Sequence, residues 1–447
     1  MLPDRVKQAF RLGEIEGRLD PLILGPALAL ACIGLVMVMS SSVGVAERLH
    51  VGTFYFLTRH AVFLGIGVLL AAVVTRIELR QLERHGPRFL MIAVMLLLAV
   101  LIPGIGSEVN GARRWLSIGG PKFQAVEAVK LLLIVWLASY LVRHRDEVQH
   151  SLWGLIKPLG MAVVMVGLLM LQPDFGSSVL IAAIVGGMLF LGGAPLRSLI
   201  APAVLGACAL AFIAVLEPYR LRRLTSFVDP WADPFDKGFQ LTQALIAIGR
   251  GEWFGVGIGS SIQKLSFLPE AHTDFIFSVI AEETGFFGIC LIIALFALLV
   301  GRAFWLGLQA IYLKRPFAGY CAFGVALWIG LQASVSVGVN LGLLPTKGLT
   351  LPLISSGGSS VLMTCAAIGL LLRVGCEVDR TERQIARIRE GAIDVRPPAE
   401  GAIPGLAVAS ATKMSNAGGA EPHWSVRAVP TPAPVRGRVE PTFGGAR

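Results

Sequence analysis

Residues 22–43 read LILGPALALACIGLVMVMSSSV and contain no charged side chain. A helix needs about 20 apolar residues to cross a bilayer core of roughly 30 Å, so this stretch predicts a membrane span. Comparable apolar runs recur along the chain, and each of them predicts another span. The predicted spans are 22–43, 58–76, 88–104, 124–142, 156–172, 177–193, 198–217, 273–300, 318–341 and 355–374.

The composition of the whole chain supports the same fold class. Of its 447 residues, 55% are hydrophobic and 15% are charged, whereas soluble domains carry about 25% charged residues. A soluble enzyme, a disordered protein and a secreted disulfide scaffold are therefore excluded. The six cysteines are scattered without a C-x-x-C pair, so neither a metal site nor a disulfide framework is expected. We predict an all-α polytopic membrane protein with ten transmembrane helices.

The formal net charge of +10 is first a signal of topology, and it gives no reason to expect a nucleic-acid partner. Lysine and arginine concentrate in alternate connecting segments, starting with the segment before the first span. The positive-inside rule then predicts that both termini are cytoplasmic. The leader is long and mixed in charge, so we interpret the first run as a span and not as a cleaved signal peptide.

This topology divides the chain into segments. The predicted parts are a cytoplasmic N-terminal arm (1–21), a ten-helix domain (22–376), a short cytoplasmic helix (377–390) and a disordered cytoplasmic tail rich in Pro, Gly and Ala (391–447). A large periplasmic loop, 218–272, lies between helices 7 and 8 and includes a predicted short interfacial helix, 240–248.

Two predicted outer loops carry cations against the topological preference. The loop over 105–123 contains Arg113, Arg114 and Lys122, and the loop over 218–272 begins with a cluster that includes Arg220. Cations in these positions favour an anionic ligand on the outer face. The alternatives for the first loop are pairing with Glu108 or with lipid phosphates.

Acidic and imidazole side chains converge where the large loop enters the eighth span. The segment LPEAHTDFIFSVIAEE, 268–283, contains Glu270, His272 and Asp274 at this entrance. Partial desolvation would raise the pKa of a carboxylate there and make it a better proton acceptor. The alternative for Asp274 is helix capping. Glu282 and Glu283 lie about two turns deeper, where we expect them to pair inside the bundle or to face a wet cavity.

Polar residues lie near the ends of predicted spans at three further places in the sequence. Glu127 and Lys130 share a helix face and can pair, and Asp174 can cap the helix that follows it. Lys347 is the only cation of the segment LGLLPTKGLTLPLISSGGSS, 341–360. Near the end of that segment, Ser355, Gly357 and Gly358 could present backbone N–H groups to an anion. The alternative for these small residues is close helix packing.

With these motifs the chain resembles the SEDS family (shape, elongation, division and sporulation) from about residue 20 to residue 390. The motifs are VNGARRW (109–115), QPDFG (172–176), EPYRLRR (217–223), DPWADPF (229–235), GFQLTQALIAIGRGE (238–252), LPEAHTDFIF (268–277) and LLPTKGLTLPLISSGG (343–358). The Thr-Lys pair in the last motif is more similar to the division branch than to the elongation branch. Two departures are Ser356, where the family has tyrosine, and Ala125, where it has proline.

The resemblance implies a glycosyltransferase that polymerises lipid II, an undecaprenyl-diphosphate-linked disaccharide peptide, at the outer face of the inner membrane. It assigns the required aspartate to Asp274 and the important arginine and lysine to Arg114 and Lys130. It also implies a class B penicillin-binding transpeptidase and other division proteins as partners at the division septum. The remaining predicted substrate-binding residues are Glu127, Lys347, Arg220, Glu270, His272, Ser355, Gly357 and Gly358.

The chemistry implied by this substrate needs one proton acceptor. The donor sugar is α-linked and the polymer is β-1,4-linked, so a single inversion with Asp274 as base suffices. Arg114, Lys347, Arg220 and Lys130 are candidates to stabilise the leaving diphosphate. No cofactor is assigned, and a requirement for a divalent cation, Mg²⁺ or Mn²⁺, is left open. The alternatives are a lipid II flippase or other transporter, an elongation-type polymerase and a non-catalytic scaffold.

Overall fold

The computed structural model describes residues 17–109, 111–117, 122–216, 227–236, 238–265, 268, 270–345 and 348–394. Most of the predicted N-terminal arm and nearly all of the predicted C-terminal tail lie outside these ranges. The helices are α1 (Pro21–Arg48), α2 (Tyr55–Arg76), α3 (Leu79–Arg84), α4 (Gly86–Leu101), α5 (Ala125–Arg143), α6 (Arg145–His150), α7 (Trp153–Leu171), α8 (Phe175–Leu191), α9 (Leu196–Leu216), α10 (Phe239–Gly251), α11 (Ile276–Tyr312), α12 (Pro316–Asn340) and α13 (Gly358–Asp394).

The apolar helices agree with the predicted spans. Eight described helices, α1, α2, α5, α7, α9, α11, α12 and α13, are long and apolar enough to cross a membrane. The shorter apolar helices α4 and α8 occupy the predicted spans 88–104 and 177–193. The chain is therefore a helical polytopic membrane protein. The count of ten spans and the orientation of the termini stay predictions.

Burial separates the central helices from the peripheral ones. In the most apolar window of α5, 83% of the residues are buried, whereas the corresponding value for α9 is 6%. Helices α12 and α13 are also mostly buried, and α2 is mostly exposed. A helix that is apolar on every side and buried on every side belongs to the interior of the bundle. The central position of α5 accordingly places Glu127 and Lys130 inside the protein.

A small antiparallel sheet precedes α5 and corrects the all-helical prediction. Its strands are β1 (Gly106–Val109), β2 (Ala112–Leu116) and β3 (Phe123–Gln124), in that spatial order. Gly111, with a φ of 75°, makes the turn between the first two strands. Strands this short carry too few residues for an alternating pattern to reveal them, which is why the sequence indicated only a loop.

Helix α11 is broken near its outer third. Gly285 has φ 66° and ψ −162°, so the chain leaves the helical conformation there and then resumes it. The loop after α10 satisfies the backbone groups that the break exposes. The Val256 N–H donates to the Glu282 carbonyl at 2.9 Å, and the Phe286 N–H donates to the Glu252 carbonyl at 2.9 Å. The predicted single span over 273–300 is thus two helical pieces joined at a glycine.

Charged contacts join the helix ends opposite the predicted outer loops. Arg302 pairs with Asp20 at 2.8 Å, and Arg315 pairs with Glu377 at 3.2 Å. Helix α13 continues without a break through the segment for which the sequence predicted a separate short helix, 377–390. The polar residues of the candidate site lie at the other ends of the helices.

Candidate active site

Asp274 lies immediately before α11, and its backbone is held by the end of α12. The side-chain amide of Asn340 donates to the Asp274 carbonyl at 3.0 Å. The amide oxygen of Asn340 accepts from the backbone N–H and the hydroxyl of Ser278, at 3.2 and 2.7 Å. The helix begins after Phe275, whose side chain makes no capping hydrogen bond. The alternative role of Asp274 as a helix cap stays a prediction.

The carboxylate of Asp274 faces the loop that connects α12 to α13. A Cβ atom built on Gly348 would lie 3.0 Å from Asp274 Oδ2, so glycine allows this close approach. Two hydrogen bonds fasten the loop to the segment that carries Asp274. The Ser356 N–H donates to the His272 carbonyl at 3.0 Å, and the Ser355 hydroxyl donates to the Thr273 carbonyl at 2.7 Å.

The three small residues predicted to hold an anion have structural contacts of their own. The Ser355 hydroxyl also accepts from the Leu351 N–H at 2.8 Å, and Ser355 is buried. The Gly357 N–H donates to the Ser355 carbonyl at 2.8 Å. A Cβ atom on Gly358 would lie 2.7 Å from the Phe63 ring. These contacts show close packing, and binding of substrate by these residues stays a prediction.

Glu270 and His272 lie together at the entrance of α11. Glu270 is exposed and accepts a hydrogen bond from the Thr273 hydroxyl at 2.7 Å. The His272 ring packs against Phe56, with 4.9 Å between the ring centroids. Its Nδ1 atom is buried and has no hydrogen-bond partner among the described residues. This imidazole is therefore positioned by packing and not by a polar contact.

The electrostatics of His272 identify two cations that the sequence analysis did not single out. Burial lowers the pKa of His272, and the charge of Glu270 opposes this effect. Arg59 and Arg48 lower the same pKa further through their positive charges, so both lie near the site. They flank the hairpin between α1 and α2. The sequence contained a signal for these residues, because two arginines beside a predicted outer hairpin indicate an anionic ligand in the same way as the cations in loop 105–123.

Glu127 and Lys130 form the predicted pair on α5, with 2.9 Å between Lys130 Nζ and Glu127 Oε1. Both side chains are buried. Lys130 Nζ also donates to the Gln332 side chain at 2.7 Å and lies 4.8 Å from the centroid of the Trp328 ring. The second carboxylate oxygen of Glu127 is buried without a partner among the described residues. Such a buried pair needs these additional hydrogen bonds to offset its desolvation.

Gln332 connects this pair to the loop that faces Asp274. Its side-chain amide nitrogen donates to the Thr350 carbonyl at 2.9 Å. The Thr350 hydroxyl in turn donates to the Ser360 hydroxyl at 2.9 Å. A continuous chain of polar contacts therefore runs from the interior of α5 to the start of α13, next to the segment that carries Asp274.

Arg114 joins two of the sequence motifs. Its Nε atom donates to the Gln172 carbonyl at 3.2 Å, and its Nη2 atom donates to the Pro173 carbonyl. Asp174 caps α8, as expected, by accepting from the Ser177 N–H at 3.2 Å. The neighbouring Arg113 lies 3.7 Å from the Glu108 carboxylate. For Arg113, the alternative of local pairing in this loop is therefore confirmed.

The two glutamates deeper in α11 are both paired, as expected. Glu282 accepts from Arg250 at 2.8 Å. Glu283 accepts from Lys264 at 2.7 Å and from the Ser40 hydroxyl at 2.6 Å. Both cations belong to the segment 238–265, so these pairs hold the outer loop against α11 and α1. The loop is an ordered part of the bundle in this region.

Arg220 and Lys347 lie outside the described residues. Within the part of the chain that the structure describes, no group of three or more His, Cys, Asp or Glu side chains could hold a metal ion. A requirement for a divalent cation stays a prediction, and the mechanism below assigns no step to a metal ion.

Comparison with known sequences assigns the chain to a family. The model for FtsW, RodA and SpoVE, described as "Cell cycle protein", matches residues 21–380. The chain is 55% identical over 402 residues to the probable peptidoglycan glycosyltransferase FtsW of Xanthomonas oryzae pv. oryzae. The matched region covers 90% of this chain and 82% of that relative. It is 50% identical over 358 residues to the protein of the same description from Legionella pneumophila, covering 80% and 91% of the two chains.

Solved structures show the same architecture. One similar chain belongs to a structure described as "Structural coordination of polymerization and crosslinking by a peptidoglycan synthase complex". That chain has a TM-score of 0.66 and 32% identity, covering 80% of this chain and 98% of its own length. The rod shape determining protein RodA of Thermus thermophilus has a TM-score of 0.58 and 31% identity, covering 80% and 96%. The resemblance inferred from the sequence motifs is confirmed.

Proposed function

The chain belongs to the FtsW, RodA and SpoVE family, and from this premise we propose that it is a peptidoglycan glycosyltransferase that polymerises lipid II. The relatives named above carry the description "probable peptidoglycan glycosyltransferase". The single observation that supports the activity best is the fixed position of Asp274, opposite a glycine and at the meeting point of α11, α12 and the loop before α13.

In the proposed reaction, Asp274 acts as the general base. Its carboxylate takes the proton from the 4-hydroxyl of the acceptor sugar, and that oxygen attacks the anomeric carbon of the donor. The bond between this carbon and the diphosphate oxygen breaks as the β-1,4 bond forms, with inversion of configuration. Undecaprenyl diphosphate leaves with the electron pair. A base within hydrogen-bond reach of the attacking hydroxyl typically contributes about 10²–10⁴-fold to such a rate.

The leaving diphosphate needs positive charge, because negative charge develops on it in the transition state. We assign this task to Arg114 and to the exposed Arg48 and Arg59, which lie near His272. Arg114 has hydrogen-bond donors beyond the two that contact the Gln172 and Pro173 carbonyls. Arg220 and Lys347 remain candidates for the same task.

Lys130 has a different role in this proposal. It is buried and already bound to Glu127 and Gln332, so it supports the site from within the bundle. Through Gln332 and Thr350 it positions the loop that faces Asp274. Direct contact of the buried Lys130 and Glu127 with substrate is not part of this proposal.

The cellular setting of the proposal follows the predicted topology. The Asp274 end of the bundle faces the periplasm, and the isoprenoid tails of donor and polymer lie in the surrounding bilayer. The enzyme acts at the division septum of the inner membrane together with a class B penicillin-binding transpeptidase and other division proteins. The similarity to a chain from a peptidoglycan synthase complex supports a membrane assembly of this kind.

The experiment that tests the proposal is a polymerisation assay with purified protein and lipid II, with and without the transpeptidase and a divalent cation. The proposal predicts that glycan strands appear with the wild-type protein, with Asp274 as the base and the assigned arginines stabilising the leaving diphosphate. A flippase or another transporter would leave lipid II unpolymerised in detergent under every one of these conditions. That result would overturn the polymerase proposal.

A further inference from the structure

A cavity lies at the other end of α5 from Lys130. It has a volume of about 530 Å³, and helices α4, α5 and α7 form its walls. Its apolar lining includes Pro87, Leu90, Trp136, Tyr140, Ile156 and Met161. Lys130 and Arg143 are separated by about 20 Å along the helix axis, at 1.5 Å per residue. This cavity is therefore distinct from the candidate active site.

Cations lie at one end of this apolar cavity. Arg143 is the last residue of α5, His144 follows it, and Lys157 lies near the start of α7. Trp136 is two turns before Arg143, so the apolar wall extends about 10 Å from the cations into the membrane-spanning region. The cavity thus combines a positively charged mouth with an apolar interior.

The cations keep hydrogen-bonding capacity for a ligand. Arg143 donates from Nη2 to the Glu83 carbonyl at 2.8 Å, which leaves its other N–H groups available. Lys157 is exposed and makes no hydrogen bond or ion pair with any described residue. The acidic residues nearest in sequence, Asp146 and Glu147, lie on α6 and do not line the cavity.

A neighbouring cavity contains charges of both signs. It has a volume of about 470 Å³ and shares Arg143 with the first cavity. Its other lining residues include two arginines, Arg80 and Arg84, and two glutamates, Glu78 and Glu83. With Arg143 counted, three arginines and two glutamates line this neighbouring cavity, whereas the lining of the apolar cavity includes Arg143 and Lys157 and no carboxylate.

The position of Trp153 indicates the depth of the cavity mouth. This tryptophan is the first residue of α7, one turn before Lys157, and 78% of its surface is exposed. Exposed tryptophans of membrane proteins concentrate at the level of the lipid headgroups. The mouth of the cavity is accordingly at headgroup level, in the cytoplasmic leaflet under the predicted topology.

We propose that this cavity binds one anionic phospholipid of the cytoplasmic leaflet. Its phosphate lies between Arg143 and Lys157, and one acyl chain lies along Trp136, Tyr140 and Met161. Basic pockets between helices on the cytoplasmic side suit anionic headgroups, because the charge of the lipid offsets that of the cations. A free phosphate would leave the apolar wall uncovered, so the ligand carries a hydrocarbon chain. The inference does not depend on the proposed polymerase activity.

Two glycines of α7 provide a matched steric test. Gly160 lines the cavity, and a Cβ atom built on it has open space around it. Gly167 lies about two turns further along α7, also has open space at the Cβ position, and does not line the cavity. Gly160→Leu should fill the cavity, whereas Gly167→Leu should leave it unchanged. Both variants replace a glycine inside a helix, so they have similar effects on folding.

The experiment is native mass spectrometry of the purified protein after equilibration with phosphatidylglycerol or phosphatidylcholine at equal concentration. We expect wild type and Gly167→Leu to retain one additional phosphatidylglycerol, with at least a fivefold preference over phosphatidylcholine. Gly160→Leu should lose the bound lipid, and the double variant Arg143→Gln, Lys157→Gln should lose the preference. Lys314→Gln, which removes a cation outside the cavity, should retain it.

Three results would overturn the proposal, two from the lipid comparison and one from competition with phosphate. One is equal retention of the two phospholipids by the wild-type protein. Another is retention of phosphatidylglycerol by Gly160→Leu at the level of Gly167→Leu. Addition of inorganic phosphate at millimolar concentration distinguishes the source of the phosphate group. Displacement of the lipid by phosphate alone would contradict the acyl-chain contact on which the proposal rests.

Discussion

Asn340, the last residue of α12, holds the backbone of Asp274 through a hydrogen bond of 3.0 Å to its carbonyl oxygen. The same side chain accepts two hydrogen bonds from Ser278 in the first turn of α11. Asn340 is fully buried, so these bonds are made in an environment from which water is excluded. The position of the proposed base therefore depends on a residue distant in sequence that the sequence analysis did not identify.

Replacement of Asn340 tests this positioning role. Asn340→Leu removes the acceptor of the Ser278 hydroxyl and the amide that donates to the Asp274 carbonyl. A buried polar group that is left unsatisfied costs about 1–3 kcal/mol. We expect polymerisation of lipid II to fall about 10- to 100-fold, mainly through kcat, because the substrate contacts are retained. Ser336→Ala is the control, since the Ser336 hydroxyl is buried without a partner among the described residues. Equal rates for the two variants would show that Asn340 does not position the base.

The pair of Glu127 and Lys130 predicts a pattern of stability. Lys130→Met leaves the Glu127 carboxylate buried without its cation, which typically costs about 3–5 kcal/mol. The double variant Glu127→Gln, Lys130→Met removes both charges and should recover most of that loss in a thermal unfolding assay in detergent. If the double variant unfolds at the same temperature as Lys130→Met, the two charges do not act as a pair.

The break in α11 predicts that Gly285 cannot be replaced without a loss of stability. Gly285 has a φ of 66°, and a Cβ atom there would lie 2.3 Å from the Gly255 nitrogen. Gly285→Ala should therefore lower stability by more than the roughly 1–3 kcal/mol of backbone strain alone. Gly249 lies in α10 with open space at its Cβ position, so Gly249→Ala should be neutral or slightly stabilising. Thermal unfolding of both variants checks the comparison, and equal behaviour would contradict the packed break.

His272 predicts a dependence of stability on pH. Burial lowers the pKa of His272 below the ordinary value of 6.5, so the folded protein favours the neutral imidazole. The stabilisation is complete above about pH 6.5 and is lost as the pH falls below that value, because the unfolded chain then binds the proton more readily. His272→Gln should flatten the decrease in unfolding temperature between about pH 6.5 and pH 5. Parallel curves for wild type and variant would contradict this account.

The helical architecture could be predicted from the sequence because the bilayer imposes one simple requirement. Each of the predicted spans contains an apolar helix, since about 20 apolar residues in a row have few other stable arrangements. The break at Gly285 was not visible, because a single glycine in an apolar run is common in membrane helices. The small sheet over Gly106–Gln124 was missed because its strands are too short to show a period.

Only part of the candidate site could be predicted from the sequence. Charged residues in apolar surroundings stand out, so Asp274, the pair of Glu127 and Lys130, and the two deeper glutamates could be identified from the sequence. The amides of Asn340 and Gln332 could not, because an uncharged polar residue in a span is less conspicuous. Their roles depend on which helices adjoin each other, and that information is in the packing and not in the local pattern.

The most direct test of the central claim is the rate of glycan formation from lipid II by purified Asp274→Asn. The amide keeps the size of the side chain and its backbone contact with Asn340, but it cannot accept the proton. Asp236→Asn makes the same change at an exposed acid of the outer loop and serves as the control. The account predicts a loss of at least 100-fold for Asp274→Asn and a wild-type rate for Asp236→Asn. Glycan synthesis by Asp274→Asn at the wild-type rate would contradict it.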